Sequence, residues 1–156
     1  MPLQRELVRD DPTLCVLAHV SDARRILRGN NEDDIIELLE SGYLLGWDIA
    51  LAPGQAAREL RLLPESVDAF LSTGRKHNFE FTWPRILLRG CSSQTVRSPT
   101  IALLLNCGST HVTNLIDAGQ LKAAPAGDGP LYRRGPNGAA IVTNAAFVEF
   151  MKRRVL

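Results

Sequence analysis

Four side chains between positions 110 and 117 have the types and the spacing to read a hydrogen-bonding ligand. Thr110, Thr113, Asn114 and Asp117 recur at intervals of three and four, while Val112, Leu115 and Ile116 occupy the opposite side of the same helical wheel. The apolar set must face a core, so the polar set faces outward. Asn offers a donor and an acceptor in one plane, which suits an adenine edge, and Thr offers a hydroxyl and a methyl, which suit a phosphate or a thymine methyl. The other reading of the same residues is a polar surface that solubilises a short helix.

The remaining candidates for chemistry are weaker. His19, His77 and His111 are far apart in sequence, and His111 near Cys107 reads as a surface residue beside a core thiol. No Ser/His/Asp order, phosphate-cradling glycine loop or carboxylate-pair motif occurs along the chain. Cys15, Cys91 and Cys107 are an odd number without a CxxC spacing, which points to reduced thiols, two of them packed as small hydrophobes. Glu32, Asp33, Asp34 and Glu37 lack the alternating ligand spacing of a calcium loop. The expectation is a protein without enzymatic activity, metal or cofactor.

The elements that position the 110–117 face occur twice. Shifted by 77 residues, Ile26 and Leu27 fall on Leu103 and Leu104, Ile35 on Val112, Leu38 and Leu39 on Leu115 and Ile116, Gly42 on Gly119 and Leu44 on Leu121. At a shift of 80, Leu62 falls on Val142, Val67 on Phe147, Phe70 on Phe150 and Leu71 on Met151. In the second half, Ser98 as N-cap and Pro99 at the first position predict a helix over 99–105. Turn-formers at 106–109 precede a second helix, which stops at Gly119. Residues 121–124 and 140–142 then read as two strands of a ribbon around a Gly- and Pro-rich tip at 125–138, and Thr143 or Asn144 caps a closing helix.

The first half repeats this order. Ser21 caps a helix through Leu27, Gly29, Asn30 and Asn31 make a turn, and Asn31 caps a helix ending at Gly42 with Glu32, Asp33 and Asp34 in its first turn. Strands at 44–49 and 60–63 flank Ala52, Pro53 and Gly54, and Pro64 starts a helix carrying Val67, Phe70 and Leu71. Between the halves, residues 79–83 alternate like a strand and 84–88 can start a helix, so this segment packs between the modules or forms a dimer contact.

These stretches resemble the excisionase and MerR-related winged helix-turn-helix family. The matching segments are IALLLNCGSTHVTNLIDAGQL followed by NAAFVEFM and, more loosely, ARRILRGNNEDDIIELLESGYL followed by ESVDAFL. The resemblance covers about 55 residues in each half and leaves residues 1–15 and 72–96 outside it. It implies an α+β fold of two tandem winged helix-turn-helix modules, at 16–72 and 97–156, joined by a structured segment at 73–96. It further implies binding to double-stranded DNA, with Ser109, Thr110, Thr113 and Asn114 in the major groove, Lys122 beside them, and Arg133 and Arg134 on the wing with Tyr132 as support. Family members commonly carry an arginine in this helix; here there is none and Asp117 adds repulsion, which shifts the expected affinity to the wing.

Composition sets the outer limits. The chain has 156 residues, 45% hydrophobic and 22% charged, which is ordinary globular usage and excludes a largely disordered chain. No apolar run approaches the roughly 18 residues that span a bilayer, and the polar start predicts no signal peptide, so a soluble cytoplasmic protein is expected. Charge divides the halves: residues 1–96 hold 11 basic and 14 acidic side chains, residues 97–156 hold 7 and 3. The basic half therefore fits a DNA-binding accessory factor for transcription or site-specific recombination, with the acidic half for protein contacts or homodimerisation. Two alternatives stay open: both halves are interaction modules of an assembly such as a phage packaging complex, or the acidic half mimics DNA and inhibits a partner. If the wing assignment holds, Arg133→Ala with Arg134→Ala lowers DNA affinity and flattens its salt dependence by about one unit of slope per lost phosphate contact; an unchanged slope would remove both residues from the interface.

Overall fold

Two glycines in the left-handed conformation set the outline of both halves. Gly42 (φ +84°) and Gly119 (φ +75°) follow a helix end, and their N–H groups donate to Leu39 O and Ile116 O. That turn closes the helix and points the chain back across it. The computed structural model describes residues 14–27, 31–52, 58–91, 94–123 and 140–156. The expected turn residues Gly29 and Asn30, the tip at Pro53 and Gly54, and the loop 125–138 with Tyr132, Arg133 and Arg134 lie outside the described residues.

The first half runs β1 (Ala18–His19), α1 (Val20–Ile26), α2 (Glu32–Glu40), β2 (Gly46–Asp48), β3 (Leu60–Leu62) and α3 (Pro64–Thr73). A short α4 (Trp83–Leu87) follows, and the second half then runs β4 (Thr95–Arg97), α5 (Ser98–Leu104), α6 (Ser109–Asp117), β5 (Ile141–Thr143) and α7 (Asn144–Arg154). The strands form two small antiparallel sheets, β1-β3-β2 and β4-β5. The fold is therefore mixed helix and sheet, α+β. Among the described residues no helix is long and apolar enough to cross a membrane.

Several local signals correspond to the observed elements. Pro64 opens α3, whose first turn has no use for its missing N–H. Asn31 caps α2, and Thr143 Oγ1 caps α7 by accepting from Ala146 N at 3.1 Å. The long repeat is also visible: α2 and α6 lie 77 residues apart at both ends.

Other expectations need correction. The first helices align at 78 rather than 77, because α1 spans Val20–Ile26 and α5 spans Ser98–Leu104. This register matches buried Ala23 with buried Ile101 and leaves Leu103, which the shift of 77 had paired with Ile26, 37% exposed. Ser21 and Ser98 are not caps; they lie inside their helices, and His19 and Arg97 occupy the cap positions without a side-chain bond. Residues 121–123 form no strand, and β5 pairs instead with β4, Val96 opposite Val142. Residues 80–82 form a turn rather than a strand, closed by Thr82 N and Trp83 N donating to Phe79 O at 3.2 and 3.0 Å.

The first-half sheet is buried on both faces. Successive residues of a strand point to opposite sides. Ala18 and Leu62 turn to a small cluster with Ala23, Ile35, Leu39 and Val67 from the helices of the same half. Gly46 shares that face, where an added Cβ would come within 2.7 Å of both Leu39 Cδ2 and Arg61 O, so only glycine lets β2 approach α2 this closely. Trp47 and its cross-strand partner Arg61 turn the other way. There Trp47 joins the main core with Trp83 and Leu87, and with Ile101, Leu115, Val142 and Phe147 of the second half. The rings of Trp47 and Trp83 meet edge to face, 5.4 Å between centroids.

Cys15 is fully buried in this core, and burial pushes its thiol up to about 12. The folded state thus holds a proton that the unfolded chain releases near pH 9, so stability is complete below that pH and lost as pH rises toward 12. Urea unfolding should show Cys15 contributing a loss of about 1.4 kcal/mol per pH unit above about pH 9; a Cys15→Ala variant with the same alkaline slope as the wild type would show that the thiol is not its source.

Candidate nucleic-acid interface

α6 is fixed by its apolar side. Val112 and Leu115 are fully buried and Ile116 nearly so, while Ser109, Thr110, Asn114 and Asp117 are exposed and Thr113 is half-buried. One helix thus brings Ser109, Thr110, Thr113 and Asn114 together on its outer side. The Thr113 hydroxyl donates to Ser109 O at 3.1 Å, which leaves its methyl and lone pairs for an outside contact. Lys122 is exposed just beyond the Gly119 turn. Tyr132, Arg133 and Arg134, the expected wing contacts, lie outside the described residues.

The two repeated helices differ at their positive ends. In α2, Asn31 Oδ1 accepts from Asp34 N at 2.9 Å and Asn31 N donates to Asp34 Oδ2 at 3.0 Å, a closed capping box flanked by Glu32 and Asp33. Two of the backbone donors there, Asn31 N and Asp34 N, are used and the local charge is negative. In α6 the cap is Gly108, with no side-chain cap and no acidic residue in the first turn. The partial positive charge and free N–H groups of that helix end are compatible with an anion, whereas those of α2 are not.

The first half holds the connection between α5 and α6. Arg61, 5% exposed, donates from Nε to Leu105 O at 2.8 Å and from Nη2 to Asn106 O at 3.1 Å. These carbonyls end α5 and have no helical partner, so a cation supplies both the hydrogen bonds and the favourable charge. Nη1 donates to Leu60 O at 2.9 Å and to Glu59 Oε2 at 3.4 Å. Asn106, at φ +53°, returns a bond from Nδ2 to Leu17 O at 3.1 Å, and Leu17 N donates to Leu104 O at 2.8 Å. His111 Nε2 lies 2.6 Å from Ile49 O, which can only accept, so that nitrogen carries the proton.

A second buried guanidinium also joins the two halves. Arg154, 4% exposed, donates to Asp48 O at 3.1 Å, Ala50 O at 2.6 Å and Gln120 Oε1 at 3.0 Å. Burial lowers the pKa of both arginines, but a guanidinium starts so high that each stays charged. Between the halves, His19, Glu59, Arg61, Cys107 and His111 line a polar cleft of about 430 Å³. Burial raises the Cys107 thiol, so it is protonated at neutral pH and a poor nucleophile beside His111. Among the described residues no group of three or more His, Cys, Asp or Glu is placed to hold a metal ion.

Arg61 and Arg154 are the residues that sequence reasoning missed. A signal for the first exists: Arg61 lies within Leu60-Arg61-Leu62-Leu63, a run too apolar for an arginine that merely meets solvent. Arg61→Met, similar in length, should leave Leu105 O and Asn106 O without donors and cost about 2–4 kcal/mol. Amide exchange should quicken around residues 105–108; a loss below about 0.5 kcal/mol would mean that the connection is held by other contacts. No family model matches the chain, and no curated protein or solved structure matches it either.

Proposed function

We propose that the chain is a tandem winged helix-turn-helix protein that binds double-stranded DNA through its second half. It acts as a cytoplasmic accessory or regulatory factor in transcription or site-specific recombination. The observation that carries this reading is the contrast between the repeated helices. α6 presents Ser109, Thr110, Thr113 and Asn114 beside an uncapped, acid-free helix start, while α2 is closed by its capping box. The reading gives the first half a bracing role, since its sheet turns Trp47 and Arg61 to the second half. Lys122, Tyr132, Arg133 and Arg134 supply phosphate contacts, in keeping with the basic balance of residues 97–156.

A second reading is favoured by one feature. α6 carries no Lys or Arg, and exposed Asp117 stands at its end, so the same polar face also fits a protein surface. In that case the chain is an assembly or interaction module.

Fluorescence anisotropy of a random-sequence duplex titrated with the full chain at two salt concentrations separates the two. The full chain is required because Leu17, Trp47 and Leu63 of the first half complete the core on which α6 rests. DNA binding predicts salt-sensitive association, with log affinity falling by about 0.9 per phosphate neutralised for each tenfold rise in salt. Asn114→Ala should then cost about 1–3 kcal/mol on a selected site and little on random duplex. No association at low salt would remove the DNA reading and leave the interaction module.

A further inference from the structure

Phe81 is 87% exposed, the most exposed of the large hydrophobic residues described. A single exposed apolar side chain is ordinary. This one is held out on a fixed support. The turn that carries it is closed by two bonds to Phe79 O, and Phe79 and Trp83 on either side pack into the main core. Upstream, His77 N donates to Gly42 O at 3.0 Å and Phe79 N donates to His77 Nδ1 at 3.1 Å. The backbone beneath the side chain is already ordered, so docking costs little more than the rotamer freedom of one ring.

Beside it lies a groove of about 700 Å³, to which Phe81 itself contributes one wall. Its apolar lining comes from Leu45, Trp83, Val155 and Leu156, with Val155 42% exposed. Glu40, Lys76, Glu80 and Lys152, all exposed, supply charges of both signs. A knob adjoining a hole on one surface is the arrangement that a two-fold axis satisfies twice, since each copy offers what the other receives. The mixed rim fits the same occupant: it can set acids against lysines across the axis, whereas a uniformly acidic or basic partner meets repulsion from half of it.

We infer that this surface is a homodimer contact, in which Phe81 of each copy enters the groove of the other. No residue of α6 lines the groove, so the contact leaves both α6 faces free. The inference does not depend on DNA binding. Sedimentation velocity of the full chain from about 1 to about 500 µM, a span that covers weak and moderate association, should show a concentration-dependent monomer–dimer equilibrium. Phe81→Ser should raise the dissociation constant roughly 30-fold or more, as loss of an aromatic anchor does, with circular dichroism and melting temperature of the monomer unchanged. Lys152→Glu, which leaves three acids and one lysine on the rim, should weaken the dimer and make it tighten with added salt. A wild type that stays monomeric across the range overturns the inference and assigns the groove to a different protein or a small apolar ligand. A dimer that survives Phe81→Ser unchanged overturns it by placing the contact elsewhere.

Discussion

The Arg61 guanidinium lies where a strand of the first half runs past a helix end of the second. Its N–H groups end on the carbonyls of Leu105, Asn106 and Leu60 and on the Glu59 carboxylate. A buried cation is tolerated only when its donors are satisfied, and here the acceptors are carbonyls that would otherwise be unpaired. Each side solves the desolvation problem of the other. The position of α6 follows, because α5 ends where Arg61 holds it and α6 begins after a connection of only four residues. Arg154 applies the same solution to Asp48 O and Ala50 O, so two cation-and-carbonyl contacts join the halves beside their shared apolar core.

The two halves differ in what they leave open. In the first, β2 and β3 are buried on both faces and α2 is closed at its N-terminus by Asn31 and Asp34. In the second, the matching helix keeps a polar outer face and an uncapped start. The apolar skeleton needed to fold is shared; the surface chemistry is not. By packing one face of its sheet against the second half, the first half helps build a larger core than either could bury alone.

What was legible in the sequence was local. The helical period at 109–117, the stop at Gly119, the cap at Asn31 and the start at Pro64 each depend on a few neighbouring residues, and each has its counterpart in the structure. The errors arose where a distant partner decides. Residues 80–82 alternate like a strand but close a turn on Phe79 O, with Phe79 and Trp83 on either side packed against the core. Ser98 has the side chain of a cap, yet it lies 8% exposed inside the helix, its N–H donating to Ala140 O. The slip from 77 to 78 came from matching Ile26 with Leu103 by type when the side chain that faces inward at the corresponding place is its neighbour Leu104. The polar face of α6 was readable as a pattern, whereas the bracing of its base by Arg61 required knowing which strand passes beside it.

The contacts that join the halves also set the order in which they form. Asn106 reaches back 89 residues to Leu17, and Arg154 reaches back 104 and 106 residues to Ala50 and Asp48. Bonds across such separations are slow to find, because the loop entropy is lost before the contact is made. On a ribosome adding roughly 5–20 residues per second, the first half waits on the order of 5–20 s for the second to emerge. During that interval its small core of Ile35, Leu39, Leu62 and Val67 can close, but the Trp47 face has no cover. Until the second half emerges, co-translational chaperones have a defined apolar surface to hold.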